Sequence, residues 1–172
     1  LFTPDAADPF LLRMGDRVRF RPVPAGSVVE APDPTLPGPP PSRRPALEVL
    51  DGGLQTTVQD LGRRGLGRWG VAPNGAADRA SLVAANRLVG NPEGAAALEI
   101  TLIGPRLRIL RPLRLALAGA DLGAVLAGRP FPPGQCRAAL PGDELTFAPA
   151  PRGPGMRAYL AVAGGIDVPP AL

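Results

Sequence analysis

The segment Leu54-Gln55-Thr56-Thr57-Val58-Gln59-Asp60 concentrates polar side chains in a stretch that otherwise reads as a strand. Side chains alternate along an extended chain, so Gln55, Thr57 and Gln59 share one face, with Leu54, Thr56 and Val58 on the other. Three amide or hydroxyl groups in register can hydrogen-bond a small ligand from one wall of a pocket. The same face would equally serve as a solvated sheet surface. Asp60, Arg63 and Arg64 follow where the chain enters a glycine-rich stretch, and strand ends that feed long loops are favoured places for sites. There, a guanidinium can hold an anion while a carboxylate orients it or acts as base. Asp60 and Arg63 are the candidate catalytic pair; Gln55, Thr57 and Gln59 are the candidate binding wall.

Gly65-Leu66-Gly67-Arg68-Trp69-Gly70 matches G-x-G-x-x-G, but a dinucleotide site needs that pattern to open a helix directly after a strand. Turn chemistry follows instead, in Val71-Ala72-Pro73-Asn74-Gly75, so the glycines read as a tight loop with positive backbone angles. Gly70, Pro73, Asn74 and Gly75 are therefore candidate pocket-shaping residues. Asp78 stands at a predicted helix start. Free N–H groups there could bind an anion, but Asp78 competes for them, and the cap is the favoured reading. Glu99, in Ala97-Leu98-Glu99-Ile100-Thr101, points opposite to Leu98 and Ile100; it faces either water or a polar pocket, as a base or an Arg partner. Asp121 lies in a small-residue turn and is predicted to bond local backbone. Arg106, Arg108, Arg111 and Arg114 form a basic face, solvated or a clamp for phosphate or carboxylate.

These residues need a scaffold, and the 172-residue chain supplies one from about residue 46. Strands are predicted at 47–50, 54–60, 98–102, 107–110, 113–117, 124–126, 144–147 and 158–163. One helix is predicted from Arg79 to Val89, with an apolar stripe of Leu82, Ala85, Leu88 and Val89 and a stop at Gly90-Asn91-Pro92. Many short strands, frequent Gly/Pro turns and a single good helix point to a mainly β, barrel-like domain. Residues 24–45 hold eight prolines and almost no apolar periodicity, which reads as an extended linker. Before it, Val18 and Phe20 alternate with Arg17, Arg19 and Arg21 after a Gly15-Asp16 turn, the pattern of a half-buried strand. Gly142-Asp143-Glu144-Leu145-Thr146-Phe147-Ala148-Pro149 echoes Gly15-Asp16-Arg17-Val18-Arg19-Phe20-Arg21-Pro22. The echo fits either a generic hairpin or two related barrels.

Composition excludes several chemistries within this sequence. There is no His, so no imidazole base, Ser-His-Asp triad or His-ligated metal. A single Cys allows no internal disulfide and no Cys-x-x-Cys pair, and no metal site is expected. All 19 basic residues are Arg, which removes a P-loop lysine and a Schiff base. The net charge of +4 is modest, the arginines are scattered and aromatics are few, so nucleic-acid binding is not expected. Leu115–Ala127 is the best apolar run, and Asp121 and glycines break it well short of a membrane span, for which about 18 residues are needed.

Several segments, taken in order over 46–172, resemble the family of the 5-oxoprolinase C subunit, also called the KipA or biotin-dependent carboxyltransferase family. They are Leu54 to Arg63, Gly70 to Asp78, Ala85-Asn86-Arg87-Leu88-Val89-Gly90-Asn91-Pro92, Ala97-Leu98-Glu99, Gly104-Pro105, Leu117 to Asp121 and Tyr159 to Asp167. The family includes the carboxyltransferase domain of urea amidolyase. Asn74, Ala77 and Ile103 depart from its usual Ser, Met and Gly. Residues 1–23 resemble the C-terminal end of the 5-oxoprolinase B subunit (KipI). The resemblance implies an incomplete cyclophilin-like β-barrel in a B–C fusion, with the boundaries 1–23, 24–45 and 46–172. It implies a cytoplasmic, ATP-dependent opening of 5-oxoproline to glutamate. That reaction would be performed with a separate protein like the 5-oxoprolinase A subunit, together with the rest of the B and C subunits. The alternatives are a biotin-dependent carboxyltransferase acting on urea and a kinase-regulating interaction module.

Overall fold

The computed structural model describes residues 11–24 and 45–168. The chain divides into two compact units, residues 1–38 and 39–172. The expected Pro-rich linker lies almost wholly outside the described residues.

In the first unit the predicted strand around Val18 and Phe20 is absent. Residues 16–24 carry no strand pairing, and both side chains are exposed. An alternating pattern can face a core only when a neighbouring strand completes the ladder, and none does so among the described residues. The preceding turn does match its echo. Arg13 N–H donates to Asp16 Oδ2 at 2.8 Å, as Leu140 N–H does to Asp143 Oδ2 at 2.8 Å. Gly15 and Gly142 have φ of 94° and 91°. The turn is repeated and the strand after it is not.

The second unit is mainly β. It contains β1 (Leu47–Asp51), β2 (Gln55–Gln59), α1 (Arg79–Val89), β3 (Ala97–Thr101), β4 (Arg106–Ile109) and β5 (Leu113–Gly119). After these come β6 (Val125–Leu126), β7 (Arg129–Pro130), β8 (Gln135–Ala139), β9 (Glu144–Thr146) and β10 (Arg157–Val162). They form two antiparallel sheets, β1-β4-β9-β6-β7 and β2-β3-β10-β5-β8. The sheets do not close into a barrel among the described residues, in keeping with an incomplete cyclophilin-like barrel. Strands β7 and β8 escape prediction because β7 is two residues long and ends in Pro130, because Pro132 and Pro133 follow it, and because Gln135-Cys136-Arg137 lacks a clean alternation.

The three central strands of the second sheet, β3, β5 and β10, turn their leucine, isoleucine and valine side chains to one face. Leu98, Ile100, Leu115, Leu117, Leu160 and Val162 face the first sheet, packing on Leu107, Ile109, Leu126, Phe131 and Leu145. The opposite face holds Ala97, Ala116, Ala118, Ala161 and Tyr159, against Leu82, Ala85 and Val89 of α1. Alanines on this face let the helix lie close to the backbone. Burying one leucine such as Leu82 contributes about 2 kcal/mol.

Helix α1 has the predicted ends. Asp78 caps it by accepting from Ser81 N–H at 3.0 Å, and Gly90 ends it at φ 82°. Arg114 donates to the Val89 carbonyl at 3.2 Å, where the helix dipole favours a cation. The apolar stripe needs one correction. Leu88 is exposed and Asn86 is fully buried in its place. Asn86 Nδ2 donates to the Ala95 carbonyl at 2.7 Å, and its Oδ1 accepts from Asn91 Nδ2 at 3.0 Å. Asn91 in turn donates to the Val162 carbonyl at 2.8 Å, tying the helix end to β10. A buried amide with all these partners is stable where a solitary one would not be.

Candidate functional site

The β register assembles a polar row across the helix-facing side of the second sheet. Thr57 lies opposite Glu99, and Glu99 opposite Tyr159. Gln55 lies opposite Thr101, which pairs with Arg157 on its other side. The predicted face of Gln55, Thr57 and Gln59 is thus continuous with Glu99. Gln59 Nε2 donates to Thr57 Oγ1 at 3.1 Å within this edge strand.

Glu99 is the centre of the row. It is buried, and its carboxylate accepts from Tyr159 Oη at 2.7 Å, Ala77 N–H at 2.9 Å and Arg157 Nε at 3.0 Å. Of the two predicted environments it takes the arginine-paired one. Tyr159 Oη also accepts from Asp78 N–H at 2.7 Å. Burial, followed by the bond to Glu99, pushes the Tyr159 hydroxyl up to about 12, so it stays a donor at neutral pH. This network anchors the chain at Ala77-Asp78, immediately before α1.

Asp78, Ser81 and Arg157 line an open cleft of about 420 Å³, together with Ala77, Gly119-Ala120 and Pro154-Gly155-Met156. The Asp78 carboxyl is held below its usual range, chiefly by the Ser81 hydroxyl donating to Oδ2 at 2.5 Å, and also by Ser81 N–H. Arg157 uses Nε on Glu99, and its two Nη nitrogens have no protein acceptor among the described residues. Gly119, at φ 94°, is needed here: a Cβ would stand 2.6 Å from the Arg157 carbonyl oxygen. The cleft therefore offers one carboxylate and one guanidinium to a small molecule carrying both acceptors and donors.

The glycine-rich bend closes on itself. Ala76 N–H donates to the Asp60 carbonyl at 2.8 Å, and Arg63 N–H to the Pro73 carbonyl at 2.9 Å. Gly62 and Gly75 meet back to back; a Cβ on either would overlap the backbone of the other arm. Asn74 adopts φ 49°, and its carbonyl accepts from Arg79 at 3.3 Å. Gly70 ends a short 3-10 turn over Gly67–Trp69, so Gly65–Gly70 does not open an α-helix. Asp60 Oδ1 accepts from Gly62 N–H at 2.6 Å, and Arg63 Nε donates to the Ala72 carbonyl at 3.2 Å. Of the predicted site residues, only Asp78 lines the cleft; Glu99 positions Arg157 behind it. Asp60, Arg63, Pro73, Asn74 and Gly75 form the neck of the loop that delivers Asp78.

Sequence reasoning missed Arg157, Tyr159 and Ser81. A signal was present: Arg157 and Tyr159 alternate with Ala158 and Leu160 on a strand that ends in small apolar residues. Asp121 accepts from Gly123 N–H at 2.8 Å, the predicted local bond. In the basic face, Arg108 pairs with Glu48 at 3.0 Å and Glu144 at 3.3 Å, bridging β1, β4 and β9.

A family model described as carboxyltransferase domain, subdomain A and B, matches residues 69–172. The chain belongs to this carboxyltransferase-domain family. The domain is 42% identical over 126 residues to the 5-oxoprolinase C subunit of Escherichia coli, covering 73% of this chain and 40% of that protein. It is 41% identical over 125 residues to urea amidolyase of Lachancea kluyveri, covering 72% of this chain and 7% of the relative. The chain thus spans well under half of these relatives. The crystal structure of TTHA0988 superposes with a TM-score of 0.76 and 46% identity, covering 98% of this chain and 34% of that one. No helix among the described residues is long and apolar enough to cross a membrane.

Proposed function

We propose that this carboxyltransferase-family domain is part of an ATP-dependent 5-oxoprolinase that opens 5-oxoproline to glutamate in the cytoplasm, working with a partner like the 5-oxoprolinase A subunit. The observation that carries this reading is the presence of the Asp78 carboxylate and the Arg157 guanidinium in the lining of one small cleft. 5-Oxoproline presents a carboxylate, which Arg157 would hold through its Nη nitrogens, and a lactam N–H, which Asp78 would accept. Glu99 and Tyr159 then act as positioning residues for Arg157 and for the Asp78 backbone. Asp60 and Arg63 serve the same end at the loop neck, with Gln55, Thr57 and Gln59 extending the polar wall beyond Glu99.

ATP would activate the lactam carbonyl toward water. The cleft itself does not fit its phosphates. Asp78 already accepts from Ser81 N–H in the first turn of α1, and Gly65–Gly70 contains a 3-10 turn rather than the start of an α-helix. In this reading the nucleotide is held outside the cleft, and residues 46–172 are the N-terminal part of a KipA-like domain. Residues 1–23 close a KipI-like domain and 24–45 link the two. TTHA0988 covers 98% of the chain in one crystal form and 73% in another, and the wider match supports a shared order of the two parts along the sequence.

A second reading, carboxyl transfer from carboxybiotin to urea, is favoured by the near-equal identity to urea amidolyase. Urea carries no carboxylate for Arg157. The test is ATP-dependent glutamate release from 5-oxoproline by the full-length protein, with and without the partner that resembles the A subunit, beside carboxybiotin-dependent urea carboxylation. Activity in the first assay is expected; activity only in the second would replace this reading.

A further inference from the structure

On the side of the second unit away from β1 and β2, the chain turns from one sheet into the other between β7 and β8. The corner is stiff. Pro130, Pro132 and Pro133 fix its backbone, and Phe131 N–H and Gly134 N–H donate to the Ala124 and Leu117 carbonyls at 2.8 and 2.7 Å. A groove of about 780 Å³ opens along it, with Arg129, Gln135 and Arg137 as its polar lining and no carboxylate.

Arg137 is held in place before any ligand arrives. Its Nε and one Nη donate to Gln135 Oε1 at 3.1 and 2.7 Å, and its guanidinium lies 5.4 Å from the Phe131 ring centroid. Those bonds use one edge of the planar group. The end-on edge, carrying an N–H from each Nη, keeps its donors. Because Arg137 can only donate, Gln135 must turn its oxygen to it, leaving the Gln135 amide N–H groups as further donors. Neither Arg129 nor Arg137 has a carboxylate partner among the described residues. The polar side chains of the groove thus offer donors and positive charge, on a rigid frame.

We infer that this corner groove is a binding site for a small oxyanion, a carboxylate or phosphate group taken bidentately by Arg137 and neutralised further by Arg129. It shares no lining residue with the Asp78–Arg157 cleft.

Isothermal titration calorimetry on the full chain at low ionic strength tests this, with sodium phosphate and sodium succinate as separate probes. Saturable binding of at least one probe is expected, weakened about tenfold or more in Arg137→Gln and in Arg129→Gln, and weakened by added NaCl. The probe that binds tighter distinguishes a phosphate from a carboxylate ligand. Arg137→Gln gives up the contact with Phe131, so circular dichroism accompanies it; Arg129 is exposed, and Arg129→Gln decides the matter alone if the other variant unfolds. No saturable binding by the wild type overturns the inference. So does wild-type affinity in the folded variants, or loss of binding in Arg157→Gln alone, which would place the anion in the cleft.

Discussion

Tyr159 and Glu99 face each other across β10 and β3, the phenol donating to Glu99 Oε2 at 2.7 Å while accepting from Asp78 N–H at the same distance. One hydroxyl thereby joins the second sheet to the start of α1. Tyr159→Phe keeps the ring but leaves Asp78 N–H and a carboxylate oxygen short of a partner. A loss of about 1–3 kcal/mol in urea unfolding is expected; a change near zero would mean that water replaces the hydroxyl without cost.

Burial of the hydroxyl, and then its bond to Glu99, set an alkaline limit. The folded Tyr159 hydroxyl titrates at about 12, above its ordinary value of 10.0. Its contribution to stability is complete below pH 10 and is lost as pH rises through about 12. Denaturant midpoints taken from pH 8 to 12 should fall in that upper window for the wild type and fall less for Tyr159→Phe.

Glu99→Gln tests the other half of the pair. The amide replaces one acceptor oxygen by donors, yet Ala77 N–H, Tyr159 and Arg157 all donate to this side chain. Unfolding should become easier by about 1–3 kcal/mol, moderated because Arg157 is partly exposed.

Asp78 separates capping from chemistry. Asn caps a helix about as well as Asp, so Asp78→Asn should leave the thermal midpoint nearly unchanged while lowering 5-oxoproline turnover by the assembled enzyme about tenfold or more. Unchanged turnover would remove Asp78 from the site. Because its carboxyl is held low by Ser81, the cap's electrostatic contribution is present above pH 3.8 and lost as pH falls below it.

Gly62→Ala and Gly75→Ala should each cost more than about 2 kcal/mol, since both combine positive φ with a backbone contact across the loop neck. Gly65→Ala has positive φ but open space, and about 1 kcal/mol is expected. Equal losses at all three would show that the neck is looser than its geometry implies.

Local chemistry alone determined a large part of this protein. The limits of α1 follow from Asp78 and Gly90, the turn at Asp121 from its own backbone, and the mainly β class from short alternating runs between glycines and prolines. The family was legible for the same reason: its motifs are runs of contiguous residues. The facing of Gln55, Thr57 and Gln59 followed from the two-residue period of a strand. What that face adjoins did not, because Thr57 meets Glu99, and Glu99 meets Tyr159, only through pairing across 42 and 60 positions of chain. The tertiary structure likewise decided that Glu99 pairs with Arg157, that Asn86 is buried in place of Leu88, and that the Val18–Phe20 pattern forms no strand. Each depends on a partner distant in sequence, and periodicity reports which side chains share a face without saying what lies opposite.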